Sequence, residues 1–176
     1  AYEFYAQHPD ETLIVVTADH ETGGLSLGRG PYELHTDLFR YQRMSTDAYS
    51  LHLKQLSEKL GTKFTWDVVK ADLKQNWGFD AGVKISDRQK DRLKAAYNAT
   101  VSGEAKDKQS LYAKVDALAD EAREIMAECA LIGWQSGGHS NGFVPVFAIG
   151  AGADQFLGQI DNTEIPVKMA KAAGWK

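Results

Sequence analysis

The sequence predicts an α/β fold: part of a central, mostly parallel sheet flanked by helices, with a helical insertion at its carboxyl edge. Three observations carry this expectation. Positions 12–18 (TLIVVTA) are a β-branched and aliphatic run too short for an ordinary helix, the composition of a strand buried on both faces. Strand character returns at 131–134 and again at 143–149 (FVPVFAI). Between these stretches, positions 36–130 place apolar residues at three- and four-residue spacing, the period of helices. The chain thereby divides into a core α/β segment at 1–30, a helical insertion at 31–130 and a second core segment at 131–176 that closes in a helix.

Taken in order, Tyr2, Tyr5 and Ala6 share one side of a short helical pattern, and no cationic start or apolar segment of signal-peptide type precedes them. The strand at 12–18 gives way abruptly to Asp19-His20-Glu21-Thr22-Gly23-Gly24, and the carboxyl ends of strands in open α/β sheets are where ligands gather. Helices are predicted over 37–60, 65–76 and 86–98, with breaks at Gly61 and Gly78, and Ser86 and Gln89 stand at the two positions of a capping box. A further helix is predicted over 107–130, where Leu111, Val115, Leu118, Ala122, Ile125 and Cys129 alternate at four and three. One helix of about three heptads packs within its own domain more often than it forms a coiled coil. A second polar loop, 136–142, leaves the returning strand, and Asp161 or Asn162 can cap a final helix that runs to about Ala173 and stops at Gly174.

Composition excludes several function classes. The 176 residues carry 20 Lys+Arg against 24 Asp+Glu, a net charge of −4 with no basic stripe, so nucleic acid is not an expected partner. No apolar run approaches the ~18 residues of a membrane span, so no membrane partner is expected either. The single Cys129 excludes an internal disulfide framework and a Cys-rich zinc module, and leaves localisation open.

Asp19 and His20 are the first candidates for chemistry. Adjacent side chains diverge in a strand, but at the turn that ends it both can converge on one ion. A carboxylate oxygen and a neutral imidazole nitrogen are standard zinc donors, and the imidazole argues against Ca²⁺ or Mg²⁺ at this position. The ordinary alternative for a bare Asp-His pair is a surface turn. Gly23-Gly24 behind it favours a site, because paired glycines let backbone approach a bound group. His139, in the loop Gly-Gly-His-Ser-Asn-Gly, is the third candidate. His8, His35 and His52 have no carboxylate or histidine at a ligand spacing and are expected on the surface. Glu21, Thr22 and Ser140 are either groups that orient ligands or ordinary polar loop residues.

Positions 12–24 (TLIVVTADHETGG) resemble the Thr-Ala-Asp-His segment of alkaline phosphatases. Gly138-His139-Ser140 with positions 144–150 (VPVFAIG) is similar to the later metal-histidine loop of that family and its strand, and Asp161-Asn162-Thr163-Glu164-Ile165 is similar to its closing segment. The matches cover roughly 1–30 and 130–176, in the correct order. The resemblance implies a two-zinc phosphomonoesterase working through a phosphoserine, one zinc positioning the attacking serine oxygen and the other the leaving-group oxygen. Carried over, Asp19 and His20 would bind the zinc that activates the nucleophile, and His139 the other.

The departures define what else is expected. The family pattern also needs an upstream Asp and Ser nucleophile segment, an acidic magnesium ligand and an Asp-x-x-x-His pair. No Asp-Ser occurs here, and Phe4, Val16, Pro31, Ala48 and Gln135 stand four residues before the five histidines. The expectation is therefore a C-terminal portion of an alkaline phosphatase, as a fragment, a cloned domain or one product of a cleaved chain, with no catalytic nucleophile of its own and no activity alone. The Mg²⁺ of the parent would have its ligands outside this chain. The partners implied are phosphate monoesters, the missing N-terminal part of the same protein and, as one open assembly, a homodimer; the parent would be periplasmic or secreted. Residues 31–130 match no motif, and family members place insertions there that cover the active-site entrance or build a subunit interface. Phosphodiesterases, sulfatases and metal-dependent phosphoglycerate mutases share an Asp-His pair at a comparable strand end, but the longer match through Gly24 favours the monoesterase. The reading from another class is a non-catalytic metal-binding or interaction module whose working surface is the helical block.

Overall fold

The computed structural model describes residues 1–104, 108–109, 114–136 and 138–175. In chain order these form α1 (Tyr2–Gln7), β1 (Leu13–Val16), β2 (Leu25–Leu27), α2 (Thr46–Leu60), α3 (Trp66–Trp77), α4 (Asp87–Ser102), β3 (Lys108–Gln109), β4 (Lys114–Val115), α5 (Ala117–Ala130), β5 (Ile132–Trp134), β6 (Phe147–Gly150) and α6 (Glu164–Ala172). Short 3₁₀ helices stand at Thr36–Tyr41, Gly61–Lys63 and Ala153–Phe156. The elements group into two units, Ala1–Gly24 with His139–Lys176, and Leu25–Gly138.

The second unit holds most of the buried apolar side chains. Tyr49 and Leu53 of α2, Val69, Leu73 and Trp77 of α3, Leu93 and Tyr97 of α4, and Leu118, Ala122, Ile125 and Met126 of α5 pack into one cluster. Spacings of three and four keep each set on one helix face, and each large side chain removed from water contributes about 1.5–3 kcal/mol. Trp77 meets Tyr49 edge-on, with centroids 5.4 Å apart. Gly78 ends α3 in the left-handed region at φ 71°, and a Cβ there would lie 2.6 Å from Tyr41 Cβ, so glycine is required twice over. Across α4 and α5, Arg92 donates to both oxygens of Glu128 at 2.8 and 2.9 Å, and Gln89 donates to Glu128 at 3.0 Å. Arg92 also forms an ion pair with Glu121 at 2.6 Å.

Capping explains where the helices depart from expectation. The helix expected over 37–60 is interrupted after Tyr41, because Ser45 accepts from the Ala48 N–H and starts α2 afresh. The capping box of Ser86 and Gln89 is formed, and α4 runs past 98 to Ser102, where Gly103 stops it at φ 74°. The expected 107–130 helix begins instead at Ala117: Asp116 accepts from the N–H groups of Leu118 and Ala119, and Val115 pairs in the ladder of β3 and β4. Asp107 and Leu111 of that expected helix lie outside the described residues.

In the first unit, β1 and β6 form an antiparallel pair in the register Leu13↔Gly150 to Val16↔Phe147. The ladders among the described residues are all antiparallel and short, so the expected central, mostly parallel sheet is not seen in them, and the strand at 12–18 is not buried on both faces. An apolar run reports composition and leaves open both the direction of its partner and the cover of its faces. Here Val16 and Phe147 stay 56% and 64% exposed, and Phe156 is the one buried apolar side chain of this unit among the described residues. The run at 131–134 does not join that sheet. Leu131 turns left-handed at φ 58° after α5, and β5 pairs with β2, whose three residues are too few to announce themselves in sequence. Strand β6 begins at Phe147 rather than 143, as expected where Pro145 cannot donate to a ladder. The closing helix α6 starts at Glu164, with the Asp161 carboxylate accepting from the Thr163 N–H and hydroxyl in the turn before it.

Candidate functional site

The loop that leaves β1 and the loop that enters β6 lie together in the first unit. Thr17 donates its hydroxyl to the Pro145 carbonyl at 3.2 Å, which ties the two loops where the ladder ends. Beyond it come Asp19 and His20 on one side and His139 on the other. The rings of His20 and His139 stack with centroids 3.4 Å apart and planes 26° apart. Asp19 is open to solvent, its carboxylate 86% exposed and 3.4 Å from His20 Nε2. The other ring nitrogen of His20, Nδ1, is 2.9 Å from the Glu21 carbonyl. If that nitrogen carries the proton, Nε2 presents its lone pair, the form in which imidazole binds a metal.

Glu21 and Ser140, left unassigned on sequence grounds, are the organising residues of these loops. The Glu21 carboxylate accepts from the Gly23 N–H at 2.6 Å and from the Gly24 N–H at 2.7 Å, and Ser140 donates its hydroxyl to the same carboxylate across 119 positions of sequence. Gly142 completes the chain by donating its N–H to Ser140 Oγ at 3.2 Å. Gly23 and Gly24 adopt φ 113° and 69°, a backbone that turns consecutive N–H groups toward one carboxylate and that side chains disfavour. A Glu two residues before a glycine pair is the sequence signal that could have pointed to this arrangement.

The three sequence candidates are therefore neighbours, and their donor types, one carboxylate and two imidazoles, are those zinc takes. The number is short of a complete site: among the described residues no group of three or more His, Cys, Asp or Glu side chains is arranged to hold an ion. Of the histidines expected on the surface, His8 rests on Phe4 and His35 lies 3.4 Å from Glu33. His52 differs, because its Nε2 is 2.7 Å from Asp72, a partner 20 residues away that only the packing of α2 on α3 supplies. The other Asp72 oxygen accepts from the Tyr49 hydroxyl at 2.8 Å, and burial together with that negative charge pushes the tyrosine far above its usual range. A separate cavity of about 560 Å³ lies in the second unit between α3 and α4. It is floored by Leu73, Phe79 and Leu93, and none of Asp19, His20 or His139 lines it.

Comparison with known proteins decides the family. The family model described as alkaline phosphatase matches residues 1–175. The chain belongs to the alkaline phosphatase family. It is 32% identical over 169 residues to alkaline phosphatase 3 of Bacillus subtilis (strain 168), covering 96% of this chain and 31% of that protein. Alkaline phosphatase 4 of the same organism is 26% identical over 161 residues, which is 91% of this chain and 29% of the relative. The crystal structure of a cold-active alkaline phosphatase from the psychrophile Shewanella sp. matches 98% of this chain and 36% of its own, at 30% identity and a TM-score of 0.67. The fold is thus the α/β fold of alkaline phosphatases, of which this chain spans about a third of the length of the matched relatives.

Proposed function

We propose that this segment serves a zinc-dependent alkaline phosphatase, hydrolysing phosphate monoesters through a phosphoserine, by supplying Asp19 and His20 to one zinc and His139 to a second. The observation that carries the proposal is the face-to-face placement of His20 and His139, from two distant loops, beside Asp19 in a chain of this family. Two zinc ions at such a site supply Lewis-acid stabilisation of the attacking and leaving oxygens. The work of this chain is to hold and aim donors. Asp19 brings negative charge and an exposed carboxylate, His20 is oriented through Nδ1 by the Glu21 carbonyl, and His139 is carried by a loop tethered to Glu21 through Ser140.

The nucleophilic serine, the remaining zinc ligands and the magnesium ligands belong to other parts of the phosphatase chain, which is also the partner that covers the first unit. Several apolar side chains of that unit stand open to solvent, Val16, Phe143, Phe147 and Trp175 among them, which goes with a partner that covers them. A periplasmic or secreted location for the whole enzyme goes with the same reading. The test is calorimetric titration of the 176-residue chain with zinc, together with an aryl-phosphate assay. We expect no turnover and zinc binding no tighter than roughly micromolar, because too few donors meet each ion. Tight binding of two zincs with repeated turnover would show a complete ligand set in these residues and overturn the shared-site reading.

A further inference from the structure

Given the zinc-site reading above, we propose that Glu21 is a positioning residue, whose carboxylate locks the His139 loop onto the Asp19-His20 loop and so sets the spacing of the zinc donors. Glu21 acts on both loops with different groups. Its main-chain carbonyl lies against His20 Nδ1 at 2.9 Å, while its carboxylate takes the Gly23 and Gly24 N–H groups and the Ser140 hydroxyl. The backbone bonds fix the carboxylate within its own loop. The Ser140 bond then transfers that fixed position to the residue next to His139. Ser140 is itself held by the Gly142 N–H, and Gly142 leaves no slack: a Cβ there would come within 3.0 Å of Glu21 Cγ.

The alternative is that Glu21 merely closes its own turn. In that case the bonds to Gly23 and Gly24 would suffice, and the hydroxyl arriving from a loop 119 positions away would have no consequence. The same bonds distinguish Glu21 from a metal ligand. Both Glu21 oxygens accept from N–H donors and one also from Ser140, so the group serves as a strut, whereas the Asp19 carboxylate accepts only the His20 N–H among the described residues and is 86% exposed. Charge-assisted bonds of this kind are short and directional, which suits a part whose task is to fix geometry.

The test uses the full-length phosphatase carrying this segment, with Glu21→Gln, Ser140→Ala, the double variant, and Ser140→Thr, which keeps the hydroxyl. Zinc affinity is measured by chelator competition, kcat and KM with an aryl phosphate, and the histidine ring resonances of metal-free protein by selective ¹³C labelling. Substitution of groups that orient metal ligands weakens metal binding by about 10–100-fold, and we expect that range for Glu21→Gln and for Ser140→Ala. The double variant should be no worse than the poorer single, since both remove one linkage. In Glu21→Gln and Ser140→Ala, kcat should fall while KM holds and the His20 and His139 resonances should lose their stacking shift without metal, whereas Ser140→Thr should restore affinity, kcat and resonances. Wild-type zinc affinity and histidine resonances in Ser140→Ala, alongside loss of zinc in His20→Ala, would overturn the strut and leave the phosphatase reading standing. Retention of zinc and turnover by His20→Ala would overturn the phosphatase reading itself.

Discussion

His20 of the loop after β1 and His139 of the loop before β6 stack ring on ring at 3.4 Å. Two imidazoles in that relation, with the carboxylate of Asp19 beside His20, place three zinc-type donors on one end of a short antiparallel ladder.

In the full-length phosphatase, His20→Ala and Asp19→Ala should each lower turnover of an aryl phosphate by at least about a hundredfold, since losing even a group that orients a ligand costs up to that much. The thermal midpoint of metal-free protein should stay near wild type, because both side chains lie on an open loop and outside the core. Near wild-type turnover of either variant in excess zinc would contradict the ligand assignment.

Gly150 should not tolerate a side chain. It sits at the end of the ladder at φ 103°, opposite Leu13, and a Cβ there would collide with the Thr12 carbonyl. Gly150→Ala should therefore destabilise by more than about 1 kcal/mol, where the same substitution at an unstrained position would stabilise slightly. Thermal unfolding of the variant beside Gly158→Ala, which has open space around it at φ 80°, separates collision from backbone strain.

Glu128 should make the helical unit sensitive to acid. Burial opposes its charge, yet the hydrogen bonds from Gln89 and Arg92 outweigh burial and hold the carboxyl below its ordinary value. A depressed carboxylate contributes stability in full above its unfolded-state value, and that contribution is lost as pH falls through the native one. Glu128→Gln should accordingly cost about 1 kcal/mol at neutral pH and progressively less below the ordinary carboxylate range. Urea denaturation at a series of pH values checks the sign; a cost that grew in acid would contradict it.

Trp77 should separate packing from hydrogen bonding. It is fully buried against Tyr49 and Phe79, and its indole N–H finds no partner among the described residues. Trp77→Ala should cost about 3–5 kcal/mol through the cavity it leaves. Trp77→Phe should cost far less, because it also removes a buried donor that lacks a partner. Equal losses in urea denaturation of the two variants would contradict this expectation.

How much of this was legible in sequence depended on the range of the interaction. Ser86 with Gln89, and the glycines after α3 and α4, are local signals, and those helices stand close to where periodicity placed them. The Asp19, His20 and His139 neighbourhood was legible through motif order, the residue types and their loops pointing to one place. What failed was pairing. The apolar run of β1 says nothing about whether its neighbour runs parallel, β2 is three residues long, and Asp116 captured the N-terminus of α5 against a heptad pattern that continued past it. Ser140 and Glu21 stayed unassigned between orienting groups and ordinary loop residues for the same reason, since a hydrogen bond across 119 positions has no periodicity to read.

The most direct measurement is the zinc content of the full-length phosphatase with His139→Ala, by elemental analysis after extensive dialysis, read together with its turnover. If His139 is the donor this chain supplies to the second zinc, the variant should retain about one zinc fewer than the wild type and lose at least about a hundredfold in turnover. Full zinc content with wild-type turnover would contradict the assignment of these loops to the metal site.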